Sequence, residues 1–449
     1  MGGTARDRTA RRLCLQALEE ALGAVNPYKR VKLSVKVKGD HLTTESFSVS
    51  LSRFKRIFVL AVGKASTSMM RATMDLLGDF VVSGILVAPK DQAIPNLDPR
   101  VQVLRAGHPI PDRDGLEAAR RVTGTILGIR EDEMLLCLIS GGASAMLPSP
   151  PVGISLQDER QLTRILLASD ATIHEINTIR RHLSTLRGGR LVQQCRASTI
   201  LSLIVSDVPG NHLPDIASGL TVEDPTTYRD AVAILKNHDL WPKIPQHIRN
   251  YLTSGVRGQV PETPKPGNTS FQRVRNIIIA DNRTACGGTS KALKAKGVQA
   301  TILTSSAEME AREMGRLLAS MANGCRTYGD PFQDSGAVII GGECTVRVKG
   351  RGVGGRNQVV TLSAAQGIAG LDGVVVAALG TDGINGNSGA AGALVDGRTV
   401  MRAKRKQMDP AYFLARNDSH RFFRALNDNL VTGRTGTNVG DLYLMLSLE

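Results

Sequence analysis

Along this chain, short and almost wholly apolar runs break into glycine-bearing turns, and the turns lead into stretches with apolar residues three and four apart. RIFVLAVGKAST, residues 56–67, reads as a buried strand, a turn carrying Lys64, and the start of a helix. Strand-like runs follow at Gly84 to Pro89 and Val101 to Ala106, the second leading through a loop with His108 into a helix that begins near Gly115. MLLCLISGGASAML, residues 134–147, is the clearest unit. Its apolar strand ends in Ser140, Gly141 and Gly142, and Ala143 and Ser144 open a helix. Ile176, Ile179, Leu183 and Leu186 then form the apolar stripe of a helix whose other face carries His174, Asn177, Arg181 and Ser184. A polar face of this kind is either solvated or lines a cleft.

The same grammar returns at residues 199–228, where a very apolar strand runs out at Ser206 and Asp207 and a loop with Pro209, Gly210 and Asn211 follows. From Ala231 to Arg275 the pattern weakens, and the Pro- and Gly-rich residues 256–272 read as a hinge. Beyond it, AVIIGGECTVRVKGRGVGGRNQVVTLSAA, residues 337–365, joins an apolar strand to Glu343, an alternating segment CTVRVKG, and a glycine-rich loop with Arg351 and Arg356 that enters a helix. Residues 373–397 give one more buried strand ending in Thr381, Asp382 and Gly383, and a last apolar strand follows residues 433–441. Recurrent strand, turn and helix predict an α/β protein of two Rossmann-like lobes with largely parallel sheets and an interdomain cleft. The division falls as 1–255 for a larger N-terminal domain and 256–449 for a C-terminal domain, the last residues being free to pack back on the first.

Candidate chemistry collects where strands end. Glycines let backbone N–H groups approach an anion, a helix N-terminus adds partial positive charge, and Arg supplies bidentate donors for phosphate oxygens. On this ground Gly354, Gly355, Arg356 and Asn357 are candidate phosphate-site residues, as is the turn from Ser140 to Ser144. The other reading of each is a tight connection between elements. Lys64 stands at a strand's carboxyl end, and Asp207 is a metal ligand, a general base or a turn-former. The chain has no GxxxxGK[ST], so an ordinary P-loop site is excluded; GxGxxG spacing occurs at Gly350, Gly352 and Gly355 in the glycine-rich loop with Arg351, and alone it is a weak dinucleotide signal.

Composition narrows this picture. At 449 residues, 42% hydrophobic and 22% charged, the chain is a multi-domain globular protein with no apolar run of membrane-spanning length. Six scattered cysteines without a CxxC pair suit reduced thiols in a cytoplasmic protein. The net charge of +15 suits anionic partners, but the basic residues are spread along the chain and aromatics are only 4%, which argues against nucleic acid. Small-molecule substrates without nucleic acid or membrane are expected, and a homodimer is left open.

VGKAS, AGHPIPD, SGGASAML, EINTIRRHLS, SDVPGN, SGLTVEDPTTY, GGECTV, GRGVGGRNQ, GTDGINGN and TGRTGTNVGDL, in that order, closely resemble the glycerate kinase family also called the MOFRL or glycerate 2-kinase family. The resemblance covers about Ala10 to Leu448. It implies transfer of the γ-phosphate of ATP to D-glycerate, giving 2-phosphoglycerate, with Mg²⁺, in a larger Rossmann-like lobe and a smaller α/β lobe. It makes Lys64 and Arg356 the leading catalytic residues. The 141–144 turn would then hold substrate or phosphate, with Asn177, Asn211, Thr381 and Gly383 nearby in role. Asp207 or Asp382 would bind Mg²⁺ or orient the attacking hydroxyl, and Arg181 would pair with the glycerate carboxylate. Leu220, Val359, Asn385 and Gly389 depart from the family pattern and carry no assigned role. The rival within enzymes is a hydroxypyruvate reductase or a kinase for another small hydroxy acid; a non-catalytic sensor would need a regulatory module.

Overall fold

The computed structural model describes residues 4–449. Its contacts separate two compact units: one of residues 27–206 and 211–279, the other of the chain through Asn26, residues 207–210 and residues 280–449.

The first unit is built on a sheet of β1 (Ile57–Val62), β2 (Val81–Pro89), β3 (Val101–Ala106), β4 (Met134–Ser140), β5 (Thr199–Val205) and β6 (Val274–Ala280). The spatial order is β3-β2-β1-β4-β5-β6, and the pairs from β3 to β5 are parallel. All seven residues of β4 are buried, as expected for a strand covered by helices on both faces. The strand order reverses between β1 and β4, so the turns that follow those two strands flank the point where open α/β sheets bind ligands. A separate three-stranded sheet lies within residues 36–50.

The second unit carries β7 (Gln299–Ala307), β8 (Gly336–Gly342), β9 (Val374–Gly380), β10 (Gly392–Asp396), β11 (Asn429–Leu430) and β12 (Asp441–Ser447), in the order β7-β8-β12-β9-β10-β11. The α/β class holds here too, but the sheet is mixed: β7 and β8 pair parallel, while β12 enters antiparallel between β8 and β9. Its N-terminal helix α1 (Ala5–Ala24) is fastened to this unit: Asp7 accepts the N–H of Gly373 at 2.9 Å, and Arg11 is paired with Asp396 and Asp428.

Besides the crossing of residues 207–210, the limits of these units differ from the expected 255/256 border in three ways. Residues 256–272 lie inside the first unit, held by Glu262 accepting the N–H of Tyr228 at 2.9 Å and by Thr263 donating to Asp224 at 2.9 Å. The chain changes unit after β6, and the N-terminal helix goes with the C-terminal sheet. The alternating CTVRVKG is also not a strand. Its Lys349 and Gly350 N–H groups donate to Asn417 Oδ1 at 2.8 and 3.0 Å, so a side chain satisfies the backbone that a neighbouring strand would otherwise pair.

Candidate functional sites in the two units

In the first unit the turns after β1 and β4 are tied together by backbone. Lys64 donates its N–H to the Gly141 carbonyl at 2.9 Å, and Ser140 Oγ accepts the N–H of Ala65 at 3.0 Å. Gly63 sits at φ 114°, and a Cβ there would fall 2.4 Å from the Ser140 carbonyl oxygen, so only glycine fits. Lys64 thus stands half-buried just before α2 (Ser66–Leu77), on a turn whose backbone is held by these two hydrogen bonds. Gly142 is left-handed at φ 88°, and a Cβ there would approach the His108 ring at 3.0 Å. The loop histidine therefore lies against the glycine turn.

From Ser144 a chain of buried polar contacts runs into α3 (Ile173–His182). Ser144 Oγ lies 2.8 Å from Ser218 Oγ, Ser218 donates to Asn177 Oδ1 at 2.8 Å, and Asn177 Nδ2 donates to the Asp215 carbonyl at 3.1 Å. Ala217 and Ser218 both adopt φ 53°, and Asn211, half-buried in the turn before them, φ 58°. Left-handed backbone costs a non-glycine residue roughly 1–2 kcal/mol, and the surrounding hydrogen bonds hold these residues in it.

Apart from the half-exposed His174, the polar face of α3 is buried: Asn177 and Arg181 are enclosed, as is Ser184 just beyond the helix. Arg181 is fully buried: Nη1 donates to Asp215 Oδ1 at 3.0 Å and to the Pro214 carbonyl at 2.9 Å, and Nε lies 2.9 Å from Asp224 Oδ1. Those commitments make it a strut between α3 and the 214–224 segment, and they remove the expected contact with a substrate carboxylate. Burial alone would raise the Asp215 carboxyl, but hydrogen bonds from His174 and His212 and the charge of Arg181 outweigh it and hold the group below its ordinary range.

In the second unit the sheet register builds a rim. Gly342 of β8, Asp441 of β12 and Gly380 of β9 are direct neighbours, so the residues just beyond them lie side by side at the carboxyl ends of β8 and β9. Arg356 opens α4 (Arg356–Gly367). Its Nε and Nη2 donate to the two oxygens of Asp441, the second at 3.3 Å, and its Nη1 is 2.6 Å from Glu343. Burial would lower the guanidinium, but the charges of Asp441 and Glu343 overcome it and raise it well above its usual range, so Arg356 is a permanent cation. Asp441 is 2% exposed in its side chain and is also bound by Asn357 Nδ2 at 3.0 Å and Tyr443 OH at 3.1 Å.

Glycines 354 and 355 are closely packed: a Cβ would fall 2.3 Å from Ser419 Oγ at Gly354 and 2.4 Å from Asn385 Oδ1 at Gly355. The N-cap, Gly355, has no side chain, and Asn385 from another loop takes its place, accepting the Asn357 N–H at 3.0 Å. Gly354 donates its N–H to Asn387 Oδ1 at 2.9 Å. Thr381 is buried and donates to the Gly440 carbonyl at 2.7 Å; Asp382 accepts the N–H of Ile384 at 3.0 Å, and Gly383 turns the loop at φ 83°. Asp207 Oδ2 accepts from Asn438 Nδ2 at 2.7 Å. Among the described residues the only close cluster of three or more His, Cys, Asp or Glu ligand atoms is His174, His212 and Asp215, so Asp207 and Asp382 do not by themselves make an all-protein metal cage. Mg²⁺ rarely uses one: it takes one or two carboxylates with waters and substrate phosphates, and both aspartates have that chemistry.

Asp441, Ser218 and Asp215 escaped the sequence reading, and Asn385 was named in it only as a departure from the family pattern. The signal for Asp441 was an acid directly before the last apolar strand, a position that turn-forming residues also fill.

Residues 13–253 match the family model described as a domain of unknown function, DUF4147, and residues 336–441 match the MOFRL family. The chain is 37% identical over 437 residues to a glycerate 2-kinase of Pyrococcus horikoshii, covering 97% of each. A protein of Agrobacterium vitis named as a hydroxypyruvate reductase is 38% identical, with 87% of each chain covered. The crystal structure of a glycerate kinase from Thermotoga maritima superposes with a TM-score of 0.84 at 34% identity, covering 98% of this chain and 100% of that one.

Proposed function

Because the chain belongs to the glycerate 2-kinase family of joined DUF4147 and MOFRL domains, we propose that it transfers the γ-phosphate of ATP to the 2-hydroxyl of D-glycerate, yielding 2-phosphoglycerate and ADP. The observation that carries this reading is the match to a glycerate 2-kinase over 97% of both lengths, which spans every strand-end motif described above.

Phosphoryl transfer needs positioning and charge neutralisation more than covalent chemistry. Lys64 and Arg356 are the cations assigned to that task in this proposal. Lys64 is set by the backbone-tied turn at the strand-order reversal and places a point charge on phosphoryl oxygens. Arg356 does so with a guanidinium oriented by Asp441. Two carboxylates against one guanidinium leave that rim net negative, so Asp441, the buried partner, is the fixed orienter and Glu343 the one an incoming phosphate displaces. The backbone N–H groups of 141–144 hold substrate or phosphate. Mg²⁺, bound by Asp207 or Asp382, would neutralise phosphate charge. Six buried free thiols support a reducing, cytoplasmic setting.

The reductase name carried by one relative finds no dinucleotide fingerprint here: the β1 turn reads VGKAS, and the GxGxxG of residues 350–355 does not follow directly on β8, which ends at Gly342. The discriminating experiment sets D-glycerate with Mg-ATP beside hydroxypyruvate with NADH. Glycerate-dependent ADP release is expected, with a product that enolase consumes directly. NADH oxidation without ADP release would overturn the kinase reading, and a product needing phosphoglycerate mutase before enolase would overturn the 2-hydroxyl assignment.

A further inference from the structure

His174 begins α3 and His212 and Asp215 belong to the segment packed across it; both histidines turn Nδ1 toward one carboxylate oxygen. His174 Nδ1 is 3.0 Å and His212 Nδ1 2.7 Å from Asp215 Oδ2, and the three ligand atoms lie within 4.8 Å of one another. The imidazole rings meet edge to face with centroids 5.3 Å apart, and their Nδ1 atoms share Asp215 Oδ2. Both histidine side chains are about half exposed, while that of Asp215 is 4% exposed. The site is therefore open to solvent over a fixed carboxylate floor.

We propose that His174, His212 and Asp215 bind a divalent transition ion of the Zn²⁺ class, with three protein ligands and a fourth position left to water. Ligand bonds of about 2.0–2.2 Å in a tetrahedron separate the ligand atoms by roughly 3.3 Å, so the two nitrogen–oxygen distances of 3.0 and 2.7 Å would have to open slightly, and the two Nδ1 atoms start within 4.8 Å of each other. To coordinate, each ring carries its proton on Nε2 and gives the Nδ1 lone pair to the ion. Two imidazoles and one carboxylate suit Zn²⁺, Co²⁺ or Ni²⁺ rather than Mg²⁺, which prefers oxygen alone.

The shell behind the ligands is built. Arg181 takes Asp215 Oδ1 and leaves Oδ2 facing the histidines, while Asp224 neutralises Arg181. Counting Arg181 as +1 and the two aspartates as −1 each, the buried floor is net negative and favours a cation. An ion here would clip the first turn of α3 to residues 212–215, which are continuous with the left-handed Ala217 and Ser218.

The test uses untagged, chelator-stripped full-length protein titrated with Zn²⁺ against a chromophoric chelator, and with Co²⁺ by its visible absorption. One equivalent of Zn²⁺ per chain is expected, with a tetrahedral Co²⁺ spectrum and a higher melting temperature. His174→Ala and His212→Ala should each weaken binding by about tenfold or more and abolish the thermal shift. Replacing the exposed His247, which is outside the cluster, should change neither. Sub-stoichiometric binding, or unchanged affinity in the His174→Ala/His212→Ala double variant, would overturn the site. The readouts are binding and stability, so failure here leaves the kinase reading standing.

Discussion

The lysine turn of the parallel sheet and the arginine rim of the mixed sheet reach a similar end, a positioned cation, by opposite means. Lys64 rests on a turn whose backbone is tied by its own N–H to the Gly141 carbonyl and by the Ala65 N–H to Ser140 Oγ, with Gly63 packed on Ser140. Arg356 is held by its own guanidinium, clamped by Asp441 from a strand 85 residues away and by Glu343. In the first case main-chain hydrogen bonds set the turn, and in the second the side chain proposed for the chemistry is itself part of the packing.

The comparison breaks most visibly at Lys64. Lys64→Ala should lower kcat by on the order of 10²-fold or more, the scale of losing a preorganised charge donor, with an unchanged melting temperature. Steady-state kinetics within about threefold of wild type would take Lys64 out of the mechanism. The converse experiment is Gly63→Ala, which forces a Cβ against Ser140 from a backbone conformation that alanine avoids. A loss of roughly 2 kcal/mol or more in denaturant unfolding is expected, with any activity loss following from the distorted turn.

Arg356→Lys sharpens the other side. Lysine keeps the charge but cannot bridge both oxygens of Asp441 while reaching Glu343, so kcat and kcat/KM should fall together by about tenfold or more and the melting temperature should fall with them. A rise in KM for ATP with kcat preserved would reduce Arg356 to an ATP anchor. Wild-type kinetics would make 351–358 a plain connection.

The smallest effect is one of pH in the parallel-sheet unit. Burial would raise the Glu262 carboxyl, but His182, the Tyr228 N–H and Lys265 outweigh it and bring it down from 4.5 to about 2. A lowered carboxyl stabilises the fold above pH 4.5 and loses that contribution as pH falls toward 2. Unfolding followed over that window should be less pH-dependent in Glu262→Gln than in wild type; identical slopes would remove Glu262 from the acid response.

What could be read without the structure divides along the same line. Strand, turn and helix around Lys64 and Ser140–Ser144 were legible because they are set by neighbours in sequence: apolar runs, glycines and helix periodicity. The polar spacing on α3 was legible as a pattern but not in meaning. Arg181 looked available for substrate until Asp215 and Asp224 were found against it, and only the packing of the 212–226 segment puts them there. CTVRVKG alternated like a strand, yet Asn417 satisfied its backbone first.

The sequence by itself determined the α/β class, the position of each glycine turn at a strand end and the two cations they present, since these follow from local period and backbone freedom. The tertiary structure alone decided which carboxylates those cations face. Asp441 orients Arg356 because β12 runs antiparallel between β8 and β9, bringing Asp441 into register with Gly342 and Gly380. Strand order of that kind is set by the burial of whole strands across the sheet, and no spacing within the chain encodes it.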